Sequence, residues 1–444
     1  MKKLSYWSLI VGCLFYLSEK ANGQQLLTLE ESVRIALAQD VSRQISDQQV
    51  RIATNNHHGS IAGKYPFVAF NLNSQGSLAN QDNPASFLNG LIRSGNAVFS
   101  LDASWVVFEG FRARYNLDRL EKLEGQALIH LRTTSLETVR RVSLAYLFAD
   151  WQQAQVKLAQ EVLRLSNDLY NYQEQRREFG QALRQHLLQS RDAVLTDSSN
   201  LLLSQLNLQT AMISLRLAMG QPDRAPFAVG GALEDQPEFL PEATMLSKMI
   251  AQNPALQEAR INREISRLQS RIRQAARYPR IALTTGAVWS GNVTALDGNN
   301  PFTGEPFGTR YGTNRNAYAG LNASFPLFDG GLRRRNVEEA RLQEIIAELS
   351  EKGITNDLQS RFASLSASMQ TQSSLLSLST TQEANARESL EIAEERYKLG
   401  QMSIFDLRAV QLGFAQAAQR RLAALYNLKV TEIELLALTG DLVR

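Results

Sequence analysis

From Lys64 to Asn80 apolar and polar positions alternate: Val68, Phe70, Leu72 and Leu78 share one parity, and Asn71, Asn73, Gln75 and Ser77 the other. A period of two predicts a strand with one apolar and one polar face. The period returns over 97–109, where Phe99, Leu101, Ala103 and Trp105 alternate with Ser100, Asp102 and Ser104. It recurs over 278–291, with Ile281, Leu283, Ala287 and Trp289 on one face, and over 316–328, where Leu321, Ala323, Phe325 and Leu327 alternate with Asn322, Ser324 and Pro326. Elsewhere the period is that of a helix. Leu29 to about Asn56 and Ala243 to Ala276 read as amphipathic helices leading into the strand pairs. After each pair comes a proline-free stretch that predicts one very long helix, 112–179 and then 332–399, each roughly 100 Å at 1.5 Å per residue. Helices far beyond the usual globular length must lie along other helices. Each stops at a glycine, Gly180 or Gly400, and a shorter helix returns over 183–219 or 403–439. In the second return, Leu407, Val410, Phe414, Ala418, Leu422 and Leu425 form one apolar stripe, and Ser403 and Asp406 have capping-box spacing.

The two sets of elements are copies. At one constant offset Trp105 meets Phe325, Phe108 meets Phe328, Gly110 meets Gly330, Arg176 meets Arg396, Gly180 meets Gly400 and Gly220 meets Gly440. Upstream, a slightly shorter offset aligns Ala38-Gln39-Asp40 with Ala251-Gln252-Asn253, and Tyr65-Pro66 with Tyr278-Pro279. The difference falls in the loop between Gly291 and Tyr318. A period this long marks duplication of a whole structural unit rather than a solenoid. The expected organisation is a first repeat over 24–220, a proline-rich linker over 221–241 and a second repeat over 242–444.

Composition changes the picture in three places. The first 23 residues carry Lys2 and Lys3, an apolar run from Leu4 to Leu17 and small residues before Gln24, the pattern of a secretory signal. A lipoprotein signal ending at Cys13 is the rival reading, although the apolar run continues past it. The chain's 1 Cys lies in that segment, so a mature chain from Gln24 has no disulfide and no thiolate chemistry. Formal net charge is only +3, which is no electrostatic footprint for nucleic acid. Arg114 and Arg333-Arg334-Arg335 read as solvated helix starts. No internal run is long and apolar enough for a transmembrane helix.

A membrane can be met another way. Polar-inside, apolar-outside parity suits a transmembrane β-barrel, with Asn71, Asn73, Asp102, Ser104, Asn322 and Ser324 toward the lumen. Four strands cannot close a barrel whose smallest form has eight, so further copies of the chain are needed. A soluble sandwich with a dry core is the bland alternative. No zinc-protease, nucleophile-elbow or phosphate-loop motif occurs, and no cofactor or metal site is expected. His57, His58 and His130 read as surface residues. His186, near the first glycine break, is either a solvated residue or a pH-sensitive one.

The export signal, the duplicated unit and the turn Arg396-Tyr397-x-x-Gly400-x-x-Ser403-x-x-Asp406 resemble the TolC-like outer-membrane efflux protein family. So do the junctions Trp105-x-x-Phe108-Glu109-Gly110 and Phe325-x-x-Phe328-Asp329-Gly330. The resemblance implies a mainly α protein with membrane β structure: a homotrimer forming a 12-stranded outer-membrane β-barrel continued by a long periplasmic α-helical barrel. It implies no catalysis but an exit duct of a tripartite efflux or type I secretion system, in outer-membrane lipid, joined by a periplasmic adaptor protein to an inner-membrane pump of RND or ABC type. The periplasmic tip and gate would draw on Arg396, Tyr397, Gly400, Ser403, Asp406, Arg176, Gly180 and His186. Two departures stand out: Leu183 and His186 occupy the places of Ser403 and Asp406 in the first copy, and Ala409 stands where some members carry a second aspartate. A duct dedicated to protein secretion and a periplasmic coiled-coil adaptor are the alternative readings.

Overall fold

The computed structural model describes residues 26–82, 90–179, 183–222, 227–233, 241–300 and 302–442. The segment expected to be an export signal, Gly180 and parts of the expected inter-repeat linker lie outside the described residues. The first repeat contains β1 (Leu26–Leu27), α1 (Leu29–Gln39), α2 (Val41–Asn56), β2 (Phe67–Gln81), β3 (Gly90–Glu109), α3 (Arg112–Glu178) and α4 (Arg184–Ala218). After β4 (Ala228–Val229), the second contains α5 (Glu242–Gln252), α6 (Pro254–Ala275), β5 (Arg280–Asn299), β6 (Pro306–Ser324), α7 (Leu332–Lys398) and α8 (Ile404–Thr439).

Three features differ from the pattern read along the chain. The helices preceding the strands are each broken in two. At Asp40 the carboxylate turns back to accept from the Ser42 N–H (2.7 Å), capping α2. At Asn253 the following Pro254 disfavours helical backbone. The strands also run further into the polar loops, with Gly90 paired to Gln81 and Asn299 to Pro306. Ladder bonds need only a facing strand, so they continue where Gly, Asn and Ser composition reads as turn. Finally, β6 stops at Ser324 rather than 328, because Pro326 has no N–H to give the ladder.

Contacts divide the chain into two units. The first takes residues up to Ser46, Leu131–Pro254 and the chain from Thr355. One of its cores gathers Leu27, Ala36, Val142, Tyr146, Leu215, Met219 and Val229, all almost fully buried. Each large apolar chain buried in this way contributes about 1.5–3 kcal/mol relative to exposure. The Tyr146 hydroxyl donates to the Leu27 carbonyl (2.7 Å) and accepts from the Gly230 N–H (3.2 Å), tying α3 to the parallel β1–β4 ribbon. Asp40 is 9% exposed and takes Thr138 and Arg141 from α3 as donors, the arginine at 2.7 Å. Its counterpart Asn253 instead donates to the Leu438 carbonyl of α8 (2.9 Å).

The second unit takes Asp47–His130 and Ala255–Ile354. It holds one antiparallel sheet in the order β2-β3-β5-β6. Among the described residues no second sheet covers it, which removes the sandwich alternative. Polar ties join the helices here: Lys122 to Glu264 (2.8 Å), Arg263 to Glu351 (2.9 Å), and Glu124 to Thr54 (2.7 Å) and His57 (2.6 Å).

Candidate functional site

In the sheet, residues directly opposite share a face. Asn71 faces Ser100, Ala69 faces Asp102 and Phe67 faces Ser104. Asp102 faces Gly286, which faces Tyr318, while Asn322 faces Ala282 and Ser324 faces Arg280. Following the pairs across all four strands places Asn71, Asn73, Asp102, Ser104, Asn322 and Ser324 on one face. Phe70, Leu101 and Leu321 lie on the other, 67%, 53% and 70% exposed. Phe99 sits among them, its ring centroid 6.5 Å from Phe70 and 5.0 Å from Trp289. So much uncovered apolar and aromatic surface marks a place where something other than water lies against the protein.

Asp102 organises the polar face. Its carboxylate accepts from Ser100 Oγ (2.6 Å), Asn71 Nδ2 (3.0 Å) and Tyr318 Oη (2.8 Å). Tyr318 reaches from β6 to β3 by lying over Gly286 of β5. A Cβ at that glycine would stand 2.8 Å from the Leu101 carbonyl and 2.9 Å from the tyrosine ring. Neither Tyr318 nor Gly286 was singled out from the sequence, although Tyr318 is the lone aromatic on the polar parity of its strand.

The described residues expected at a periplasmic tip belong to the first unit. Helix α7 ends in a Schellman motif: Gly400, at φ 75°, donates its N–H to the Tyr397 carbonyl (3.0 Å), and Gln401 donates to the Arg396 carbonyl (2.9 Å). Ser403 then caps α8, its Oγ accepting from the Asp406 N–H (3.2 Å). The Asp406 carboxylate accepts from the Ser403 hydroxyl (2.7 Å), not from the Ser403 backbone N–H as a full capping box would have it. Leu183 begins α4 with no side-chain cap, and the His186 ring stands edge-on to Phe405 at 6.4 Å.

Tyr397 is the anchor. It is 6% exposed, in a cluster with Leu169, Ala393, Ile404 and Leu407. Gln173 of α3 donates to its hydroxyl, and Tyr172 meets it edge-to-face at 5.7 Å. Burial pushes its phenol up, against the opposing effect of nearby Arg176. The Arg176 guanidinium lies over Tyr172, 5.9 Å from the ring centre. Arg396 contributes its carbonyl, with its side chain exposed. Gly180 is outside the described residues. One turn beyond the Ser403 cap, Arg408 of α8 reaches Ser166 of α3 (2.9 Å) and Asp197 of α4 (3.0 Å). Sequence reasoning missed this group, because its three members come from separate helices far apart along the chain.

One sequence profile matches this chain twice, over residues 37–221 and again over 245–441: that of the outer membrane efflux proteins. The chain belongs to this outer membrane efflux protein family. The double match is the duplication seen again, one copy to each repeat. The chain is 26% identical to Outer membrane protein TolC of Escherichia coli K12 over 249 residues, 53% of this chain and 48% of that protein. The match thus spans about half the length of that relative. Among solved structures, CusC superposes with a TM-score of 0.75 at 18% identity, covering 93% of this chain and 92% of its own. The CmeC outer membrane channel of Campylobacter jejuni superposes at 0.71 and 16% identity, covering 93% and 85%. The fold is therefore that of the outer-membrane channels, mainly helical with a membrane sheet, and the protein is an outer-membrane channel-family member rather than an enzyme.

Proposed function

We propose that three copies of this protein form the outer-membrane exit duct of a tripartite efflux system. A periplasmic adaptor holds the duct's tip, and an inner-membrane pump of RND or ABC type delivers the substrate. The observation that carries the reading is the sheet. Its register puts Asn71, Asn73, Asp102, Ser104, Asn322 and Ser324 on one face, where Phe67 at the start of β2 is the exposed apolar exception, and Phe70, Leu101 and Leu321 on the other. Both β2 and β6 are edge strands, and four strands are too few to close. Three copies pairing edge to edge supply twelve, with the polar face enclosed. The glycine turn at Gly400 and the Ser403–Asp406 cap then form part of a ring of helix ends at the periplasmic entrance.

Single cysteines test the assignment. Those placed at Asp102 and Asn322 should react with a water-soluble thiol reagent in the assembled protein, and those at Leu101 and Leu321 should resist it. The reverse pattern would overturn the reading, since a one-residue slip exchanges the two faces. Deletion in the native cell should raise sensitivity to small toxic compounds. Loss of an exported protein without that sensitivity would make the duct one for protein secretion.

A further inference from the structure

We propose that the helix-side ends of the four long strands form a docking belt for the headgroups of anionic phospholipids. The proposal rests on the duct reading in placing the sheet in a bilayer. Every one of these strand ends carries a cation beside exposed apolar surface. Lys64 precedes Tyr65 at β2, and Arg277 precedes Tyr278 at β5, both tyrosines 54% exposed. After β6 come Leu327 and Phe328, each 89% exposed, and then Arg334 and Arg335.

After β3 comes Phe111, 59% exposed, the one non-glycine residue with positive φ among the described residues. Its counterpart in the second repeat is Gly331, at φ 84°. The fold thus holds an aromatic outward at a position that its own duplicate gives to glycine. Arg114 follows three residues later.

The two acids nearest the strand ends are already engaged. Glu109 binds Arg112 (3.0 Å), and Asp329 binds Arg333 (2.7 Å). Lys64, Arg114, Arg277, Arg334 and Arg335 form no ion pair among the described residues. Neither α3 nor α7 has an acid in its first turn, so these arginines sit where the helix dipole alone disfavours them. At the far strand ends the described charges balance. Arg93 is paired with Asp297 (3.4 Å), and Arg310 is offset by Asp82 and Glu305. Aromatic rings at interface depth with unpaired cations just beyond them complement a phosphodiester surface rather than a neutral one.

The test uses the full-length protein in nanodiscs of phosphatidylcholine mixed with phosphatidylglycerol, with the lipids retained on the protein counted by native mass spectrometry. The parent should retain phosphatidylglycerol preferentially. Arg114→Gln, Arg334→Gln and Arg335→Gln should each lower that preference about fivefold, the equivalent of about 1 kcal/mol per basic residue at an anionic surface. The three corresponding Lys substitutions should retain the preference, which keeps the test open if the Gln variants fold poorly. Equal retention of both lipids, a preference untouched by the Gln variants, or a preference erased by millimolar inorganic phosphate would each overturn the belt. Insertion without lipid preference sinks the belt alone, whereas failure to insert into any bilayer sinks the duct reading with it.

Discussion

Arg408 and Asp197 form an ion pair inside the helical unit, Nη2 to Oδ2 at 2.9 Å, with 15% and 4% of their side chains exposed. The pair joins the return helix of one repeat to that of the other, and Ser166 adds a hydroxyl donating to the same carboxylate. Removing one member leaves the other charged and out of water, which costs about 3–5 kcal/mol in comparable buried pairs. Asp197→Ala should therefore lower the thermal midpoint markedly. Asp197→Leu combined with Arg408→Met should recover much of the loss. A double-mutant cycle of unfolding midpoints measures the coupling, and additive single effects would show that the pair contributes nothing.

Asp406 has two separable contributions. Its backbone N–H donates to Ser403 Oγ, so Ser403→Ala should loosen the start of α8 by about 0.5–2 kcal/mol. Its carboxylate is exposed, and three copies at one entrance would favour cations over anions. Asp406→Asn keeps an oxygen acceptor for the Ser403 hydroxyl and removes the charge. Cation preference in single-channel recordings should fall in the Asn variant, with hydrogen exchange at 404–407 little altered. An Asn variant with the parent's selectivity would leave Asp406 a helix-start residue only.

Gly286 lies beneath Tyr318. Gly286→Ala puts a methyl group 2.8 Å from the Leu101 carbonyl and should cost about 1–3 kcal/mol by overpacking. Gly76→Ala, with nothing within 4 Å, should cost much less. Tyr318→Phe keeps the ring over Gly286 and loses only the bond to Asp102, so its effect should fall between the two. Heat resistance of the assembled protein on gels should rank the variants in that order.

Acid should weaken the helical unit through Asp40. Burial alone would raise its carboxyl, but the bonds from Thr138 and the Ser42 N–H, with the Arg141 charge, outweigh burial and hold it below the ordinary value. A depressed carboxyl stabilises the fold above its unfolded pKa and loses that contribution as pH falls through the folded one. The parent should therefore lose stability progressively below about pH 5. Asp40→Asn should begin less stable at neutral pH and show a shallower acid-side decline. Parallel acid curves for the two proteins, followed by thermal midpoint, would show that Asp40 is not the group responsible.

The elements most legible in the sequence were those whose pattern is local. Absence of proline through α3 and α7, a glycine at the end of α7, and alternation in the four strands each follow from backbone and periodicity alone. The tie of Asp40 to α3 was not legible, because its partners Thr138 and Arg141 lie far along the chain. Nor was the hold of Gln173 on Tyr397, which depends on α3 and α7 coming side by side. The strand extensions escaped notice for a related reason: a ladder records its partner, and Gly90 or Asn299 read alone suggests a turn.

The middle seam of the sheet has a consequence for how the molecule is made. β2 pairs with β3 across a short loop, but β3 pairs with β5, and contacts over that seam, such as Arg93 with Asp297, join residues 204 positions apart. Closing so distant a contact is slow, and the closure entropy must be met before the pairing repays it. During synthesis and export, the first hairpin must therefore wait with a bare edge and an oily face until the second repeat has been delivered. The interval before that arrival is the moment of greatest danger for the chain, and a holding chaperone would be of most use there.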